Sequence, residues 1–180
     1  IAAGPKTVTR PAGPVTLAAP RTIELKDKVA ATLLVRAWSV PGMGDPGMTA
    51  LDVAAGALAG MSSARLVDQL VRKEKLFVQV NASNQSQSQA GTFSIFGVVR
   101  PGVDPVLAGK RLDEMVADFL AKGPDADEVR RYVNSTVSSR IRGLESVGGF
   151  GGKAVALSSG AIQVGDPDYY KKELAQLAAQ

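Results

Sequence analysis

The sequence predicts an α+β domain in which an antiparallel sheet packs against helices on one face. Three observations carry that expectation. A long alternating stretch folds back around a polar tip, an almost continuously apolar, β-branched run lies upstream of it, and apolar helical stripes come in runs on either side. Length and composition agree, since 180 residues with 45% hydrophobic content fit one domain with a substantial core.

Residues 1–21 hold four prolines and no sustained period, and are expected to form a Pro-rich linker or arm ahead of a single domain over residues 22–180. RTIELKD alternates weakly. Val29 to Val40 is almost continuously apolar between Asp27-Lys28 and Pro41-Gly42, which predicts a central strand covered on both faces. Helix starts are expected at Asp45-Pro46, Asp104-Pro105 and Asp166-Pro167, where the carboxylate caps free amides and proline takes the first helical position. Asp125 and Glu128 have the spacing of a capping box. One helix is expected near Pro46 to Ala59 with Leu51, Ala55 and Leu58 inward. A second follows from Ser62 to Lys73 on Leu66, Val67, Leu70 and Val71.

The stretch from Leu76 to Val99 reads as a β-hairpin. Its register is expected to turn Leu76, Val78, Val80 and Ala82 to one face, with Phe93, Ile95, Gly97 and Val99 lining a face opposite. Two further helices carry stripes at Leu112, Met115, Val116, Phe119 and Leu120, and at Val129, Val133, Val137, Ile141 and Leu144. The second sheet face is then left to solvent or to a covering that this chain does not supply.

Several function classes are excluded by composition. No cysteine and no histidine is present, so thiol chemistry, a Ser-His-Asp triad and zinc sites built on Cys or His are ruled out. The 21 basic and 17 acidic residues are interspersed, as on a solvated mixed surface, and no aromatic-basic platform for nucleic acid occurs. No apolar run approaches the length of a membrane span. SVGGFGGKAVALSSG, Ser146 to Gly160, imitates a phosphate loop but fails it twice: Val147 stands where the first glycine belongs, and Ala154 replaces the magnesium-binding hydroxyl. Gly148 to Gly152 are expected to be a joint between helices, with Lys153 facing solvent. The Asn-x-Ser/Thr triplets at Asn81, Asn84 and Asn134 match the glycosylation pattern, but Asn134 falls mid-helix. The chain opens on Ile1 instead of Met, so it is expected to be part of a longer protein whose remainder would hold any export signal.

Ala57 to Ser83, ALAGMSSARLVDQLVRKEKLFVQVNAS, resembles a stretch shared by the pitrilysin/insulinase family of zinc peptidases. Gly60, Ser62, Ser63, Arg65, Leu66, Leu70, Leu76, Val80 and Ala82 keep the family order, with Ala64 inserted before Arg65. RGLESVGGFGGKA and GDPDYYKKEL are similar to the closing helices of its exported bacterial members, so the resemblance covers about Thr22 to Leu177. It implies the repeat fold of the mitochondrial-processing-peptidase type, paired in tandem to form a chamber. The family's chemistry needs H-x-x-E-H, two histidines on zinc and a glutamate that activates water. A chain without histidine is, on this resemblance, a non-catalytic repeat with no catalytic and no metal-binding residue of its own.

Some non-catalytic repeats carry an arginine and a tyrosine, seven residues apart, that hold substrate. The matching positions here are Val71 and Val78, neither able to donate a side-chain hydrogen bond. That departure implies a repeat beside the zinc domain, in the same half of the chamber. The function expected is a non-catalytic domain of a periplasmic or secreted zinc endopeptidase. It would form chamber wall and docking surface for the zinc-bearing catalytic repeat, with contact to peptide substrate. Zinc is expected only in the parent's catalytic domain, and neither nucleic acid nor a membrane span is implied. The alternative is a peptide-binding or scaffolding module from an inactive family member. An independent enzyme working with carboxylates alone is disfavoured, because the acidic residues sit at caps and on polar helix faces.

Overall fold

The computed structural model describes Gly4 and residues 13–180. Much of the expected arm over residues 1–21 therefore lies outside the described residues. Its described part from Gly13 onward forms neither helix nor strand and is exposed. One tether is present: the Val15 amide donates to Ser39 Oγ at 2.8 Å.

Three strands, β1 (Leu33–Pro41), β2 (Phe77–Ser86) and β3 (Ala90–Val99), form an antiparallel sheet in the order β1-β3-β2. The apolar run is thus an edge strand, which corrects the expectation of a central one. Leu34, Arg36, Trp38 and Val40 stand opposite Gly97, Ile95, Phe93 and Gly91, on the side that meets the helices. Trp38 packs edge-on against Phe93 with ring centroids 6.0 Å apart. Leu33 and Val35 point the other way and are exposed. Continuous apolarity made the run look doubly covered, whereas within this chain its second face stays open.

The hairpin forms as expected, and on β3 the alternation holds throughout, with Phe93, Ile95, Gly97 and Val99 all buried. On β2 it holds for Val80 and Ala82 but fails at Val78. A bulge lies between Phe77, which pairs with Val99, and Gln79, which pairs with Val98. The extra residue is Val78, turned outward at 51% exposure while Phe77 is completely buried. Burying the larger ring removes more apolar area from water than burying valine would. Gly97 makes room for it, since a Cβ there would lie 2.6 Å from the Phe77 ring.

The helices lie against the buried side of this sheet. Helix α1 (Met48–Ala55) runs directly into a π-helical turn, Gly56–Gly60, and a second π-helix spans Val67–Lys73. Ala55, Leu58, Leu66 and Leu70 are buried, with Leu51, Val67 and Val71 packed against them. Small residues bring α1 and its extension close to their neighbours, and a Cβ on Gly56 would collide with the Tyr132 ring. Helix α2 (Pro105–Lys122) buries Ala108, Leu112, Met115 and Phe119. Leu120, expected in that stripe, is exposed, because one residue beyond Phe119 is about 100° further round the helix.

Three more helices complete the chain: α3 (Ala126–Gly143), α4 (Lys153–Val164) and α5 (Tyr169–Ala178). The stripe expected on α3 is only half-buried, Ile141 is exposed, and the buried residue of this helix is Glu128. The register of β2 sets a stability test. Val80→Asp should lower stability by about 3 kcal/mol, since it buries an unpaired charge, and Val78→Asp should stay within about 0.5 kcal/mol of the parent. Thermal and denaturant melts of both variants check the order.

Candidate functional site

The segment that resembles the zinc peptidases is built around Arg65, two residues before the second π-helix. Its Nε donates to Glu128 Oε1 at 3.0 Å and its Nη2 to Glu128 Oε2 at 2.6 Å. The guanidinium also sits 5.1 Å from the centre of the Phe119 ring. Glu128 is only 6% exposed, and its hydrogen bond holds the Arg65 guanidinium still further above its ordinary pKa, against the effect of burial. The same carboxylate completes the expected capping box. Asp125 N donates to Glu128 Oε2 at 2.9 Å and Glu128 N to Asp125 Oδ1 at 2.7 Å. Arg65 and α3 are thereby locked together.

Val71 packs against the core from the second π-helix and Val78 faces outward from the β2 bulge, so neither position offers a polar group. The Asp-Pro carboxylates act locally. Asp104 caps α2, accepting from Val106 N at 2.9 Å, with Pro105 at the first position. Asp45 and Asp166 accept from Gly47 N and Asp168 N, but the helices begin only two residues after the prolines. The glycine-rich stretch joins α3 to α4, with Gly149 and Gly151 at φ +81° and +86°, where any other residue would be strained. Phe150 between them is fully exposed, and Lys153 begins α4 on the surface. Asn134 lies within α3, exposed.

A second polar cluster forms where α1, α3 and α5 converge. Asp52, Thr49, Tyr132, Thr136, Arg140, Glu173 and Leu177 line a small cavity. Asn84 Nδ2 on β2 donates to Asp52 Oδ1 at 2.9 Å, and Arg140 Nη1 donates to Glu173 Oε2 at 3.3 Å. Burial pushes the pKa of both Asp52 and Glu173 upward, more than Arg140 pulls it down. Among the described residues, no group of three or more His, Cys, Asp or Glu could hold a metal ion.

The sheet face turned away from the helices is graded in polarity. On β1 and β3, Leu33 pairs with Val98 and Val35 with Phe96 at one end, where β2 adds Gln79 and Asn81 beside them; Ser39, Thr92 and Gln85 lie side by side at the other. Between them Ser83 Oγ and Ser94 Oγ are 3.2 Å apart.

This architecture is shared with known proteins. The family model described as the peptidase M16 inactive domain matches residues 2–136. The chain belongs to that family. A protease from Helicobacter pylori superimposes with a TM-score of 0.76 at 18% identity, over 86% of this chain and 36% of its own. The inactive peptidase domain of a candidate zinc protease from Bordetella parapertussis gives 0.70 at 24% identity, over 85% and 80%. The periplasmic protease PqqL from Escherichia coli gives 0.64 at 17% identity, over 86% and 17%. The chain thus spans about a third of the Helicobacter protease and a sixth of PqqL. No curated protein matches in sequence. Among the described residues no helix is long and apolar enough to cross a membrane. These likenesses fit the α+β expectation of a sheet with helices on one face, and the pitrilysin/insulinase resemblance is that of an M16 inactive domain.

Neither polar cluster was read from the sequence of this M16 domain. The Asp125/Glu128 spacing was the one available signal, and it points to a cap, not to an arginine 63 residues away in the chain. Breaking the pair by Arg65→Met or Glu128→Leu alone should cost about 3 kcal/mol, because each leaves an opposite charge largely out of water. The double variant should recover part of that loss, and a double-mutant cycle measured by denaturant unfolding checks the coupling.

Proposed function

We propose that this chain is a non-catalytic domain of an exported zinc endopeptidase, serving as chamber wall and as docking surface for a zinc-bearing repeat of the same parent. The observation that carries the reading is the match to an inactive peptidase domain by a chain whose whole sequence contains no histidine. An activated water on zinc needs a ligand set this domain does not have. Its contribution would be shape. The sheet face opposite the helices is broad and unoccupied by the chain's own helices, and it would line the chamber and meet peptide substrate. Valines at positions 71 and 78 favour a place beside the zinc repeat instead of across from it. On the same reading the chain divides at residue 21 into an arm and the domain proper. Periplasmic or secreted location is favoured by the likeness to a periplasmic protease, and zinc belongs to the parent's catalytic repeat.

The isolated chain should bind no stoichiometric zinc and hydrolyse no peptide. Metal analysis after dialysis and a peptidase assay check both, and one zinc per chain with metal-dependent cleavage overturns the reading. Sequencing the parent frame upstream should reveal H-x-x-E-H within about 250 residues, the usual domain-size range, with a further glutamate as third ligand. A parent with no such motif in any repeat would make peptide binding without catalysis the better account.

A further inference from the structure

The cluster between α1, α3 and α5 sets one guanidinium against two carboxylates. Asp52 comes from α1, Arg140 from α3 and Glu173 from α5, and they share a cavity of about 10 Å³, roughly the room of one water. Arg140 reaches Glu173 at 3.3 Å, while Asp52 is held by Asn84 of β2 at 2.9 Å. The Arg140 and Glu173 side chains keep 37% and 29% of their surface exposed, so a surplus charge here is only partly screened. Outside this cluster α5 rests on α4, where the Asp166 amide donates to Gly160 O at 3.1 Å and Tyr169 lies against Gly160; its buried residue, Leu177, lines the cavity itself.

We propose that Asp52, Arg140 and Glu173 form an acid-strengthened latch on α5. When one carboxyl carries a proton, the remaining carboxylate balances Arg140 and the helix is seated firmly. When both are ionised, the half-buried site holds a net negative charge and α5 loosens. The proposal stands apart from the proteolytic role and would survive its failure.

The groups that face the latch are few. Arg140 and Tyr132 approach from α3, Glu173 and Tyr169 from α5, Asp52 from α1 and the neutral Asn84 from β2. The π-helical turn Gly56–Gly60 beneath Tyr132 carries no ionisable side chain. Lys171 and Lys172 of α5 are engaged outside the cavity by Asp168 and Asp166. Burial raises both latch carboxyls above their ordinary range, and for Glu173 the charge of Asp52 adds to it. A folded pKa above the unfolded one stabilises the fold below the unfolded value of about 4, and this is lost as pH rises through the folded value. Glu74 behaves oppositely, lowered by Arg111, so its contribution disappears in acid. Because the chain has no histidine, no side chain of ordinary pKa titrates between about pH 5 and 8 to mask the latch.

The test is hydrogen exchange of the α5 amides in the intact chain from about pH 4, the ordinary carboxyl range, to about pH 8, corrected for intrinsic rates, with thermal melts alongside. Protection of α5 should fall several-fold as pH rises through the folded pKa of the two carboxyls. Glu173→Gln should abolish that dependence and keep the acid level throughout, whereas Arg140→Gln should steepen it. Asp52→Asn serves as a second neutralising variant should Glu173→Gln fold poorly. Flat protection in the parent chain, a reversed slope, or a slope that survives both neutralising variants overturns the latch.

Discussion

The arrangement of the helical layer depends on the buried pair between Arg65 and Glu128. Helix α3 has no fully buried apolar side chain, and its valine stripe lies only half out of water. A helix that cannot hold on through hydrophobic area needs directional contacts, and α3 has them at both ends. Glu128 anchors its N-terminus to Arg65, Arg140 reaches Glu173 of α5 near its C-terminus, and the Tyr132 ring sits midway against the backbone of Gly56. The first anchor is the best shielded. Glu128 satisfies its own helix start and the guanidinium at once, and Arg65 in turn lies over Phe119 of α2. One side chain therefore fixes the relative placement of the second π-helix, the end of α2 and the start of α3. This gives a physical reason for arginine within the segment that resembles the zinc peptidases: its work is structural.

Legibility from sequence followed the range of the interactions involved. Strand β3 is central and packs on one face only, so its period of two was plain, and the buried set is the one expected. Strand β1 misled because Leu33 and Val35 are as apolar as Leu34 and Val40, and composition alone does not tell a face that is covered from one left open. The Val78 bulge was hidden for a different reason. Leu76, Phe77, Val78 and Val80 are all apolar, so two registers fit the pattern equally, and the choice rests on the space left by Gly97 across the ladder. That is a tertiary fact. The same holds for Arg65 with Glu128 and for Asp52 with Glu173, whose partners lie far apart in the chain.

Local chemistry was more faithfully encoded, though not its downstream consequence. All three Asp-Pro carboxylates accept the amide two residues on, as the spacing implies. Only at Asp104 does the helix begin at the proline. At Asp45 and Asp166 a separate turn intervenes before Met48 and Tyr169. A carboxylate-capped turn is a shared first step, and it passes straight into a helix only at Asp104, whose own backbone is extended as a capping residue's is, at φ −65° and ψ 119°.

Under the proposed role, function in this domain would be carried by surface, and the sheet face gives that idea physical content. At the end occupied by Leu33, Val35, Phe96 and Val98, contact with another apolar surface would release ordered water and gain free energy in proportion to area. At the end occupied by Ser39, Thr92 and Gln85, hydroxyl and amide groups can exchange hydrogen bonds with an extended backbone without a dry interface. Under the proposed role, the first end suits a fixed neighbour in the parent and the second a transient peptide. Edge strand β1 borders both ends, and its Ser39 already accepts a backbone amide from the arm at Val15. That tether holds a side chain of the open face, so a peptide docking at this polar end would meet the arm there, while the backbone groups of the β1 edge are not engaged by it.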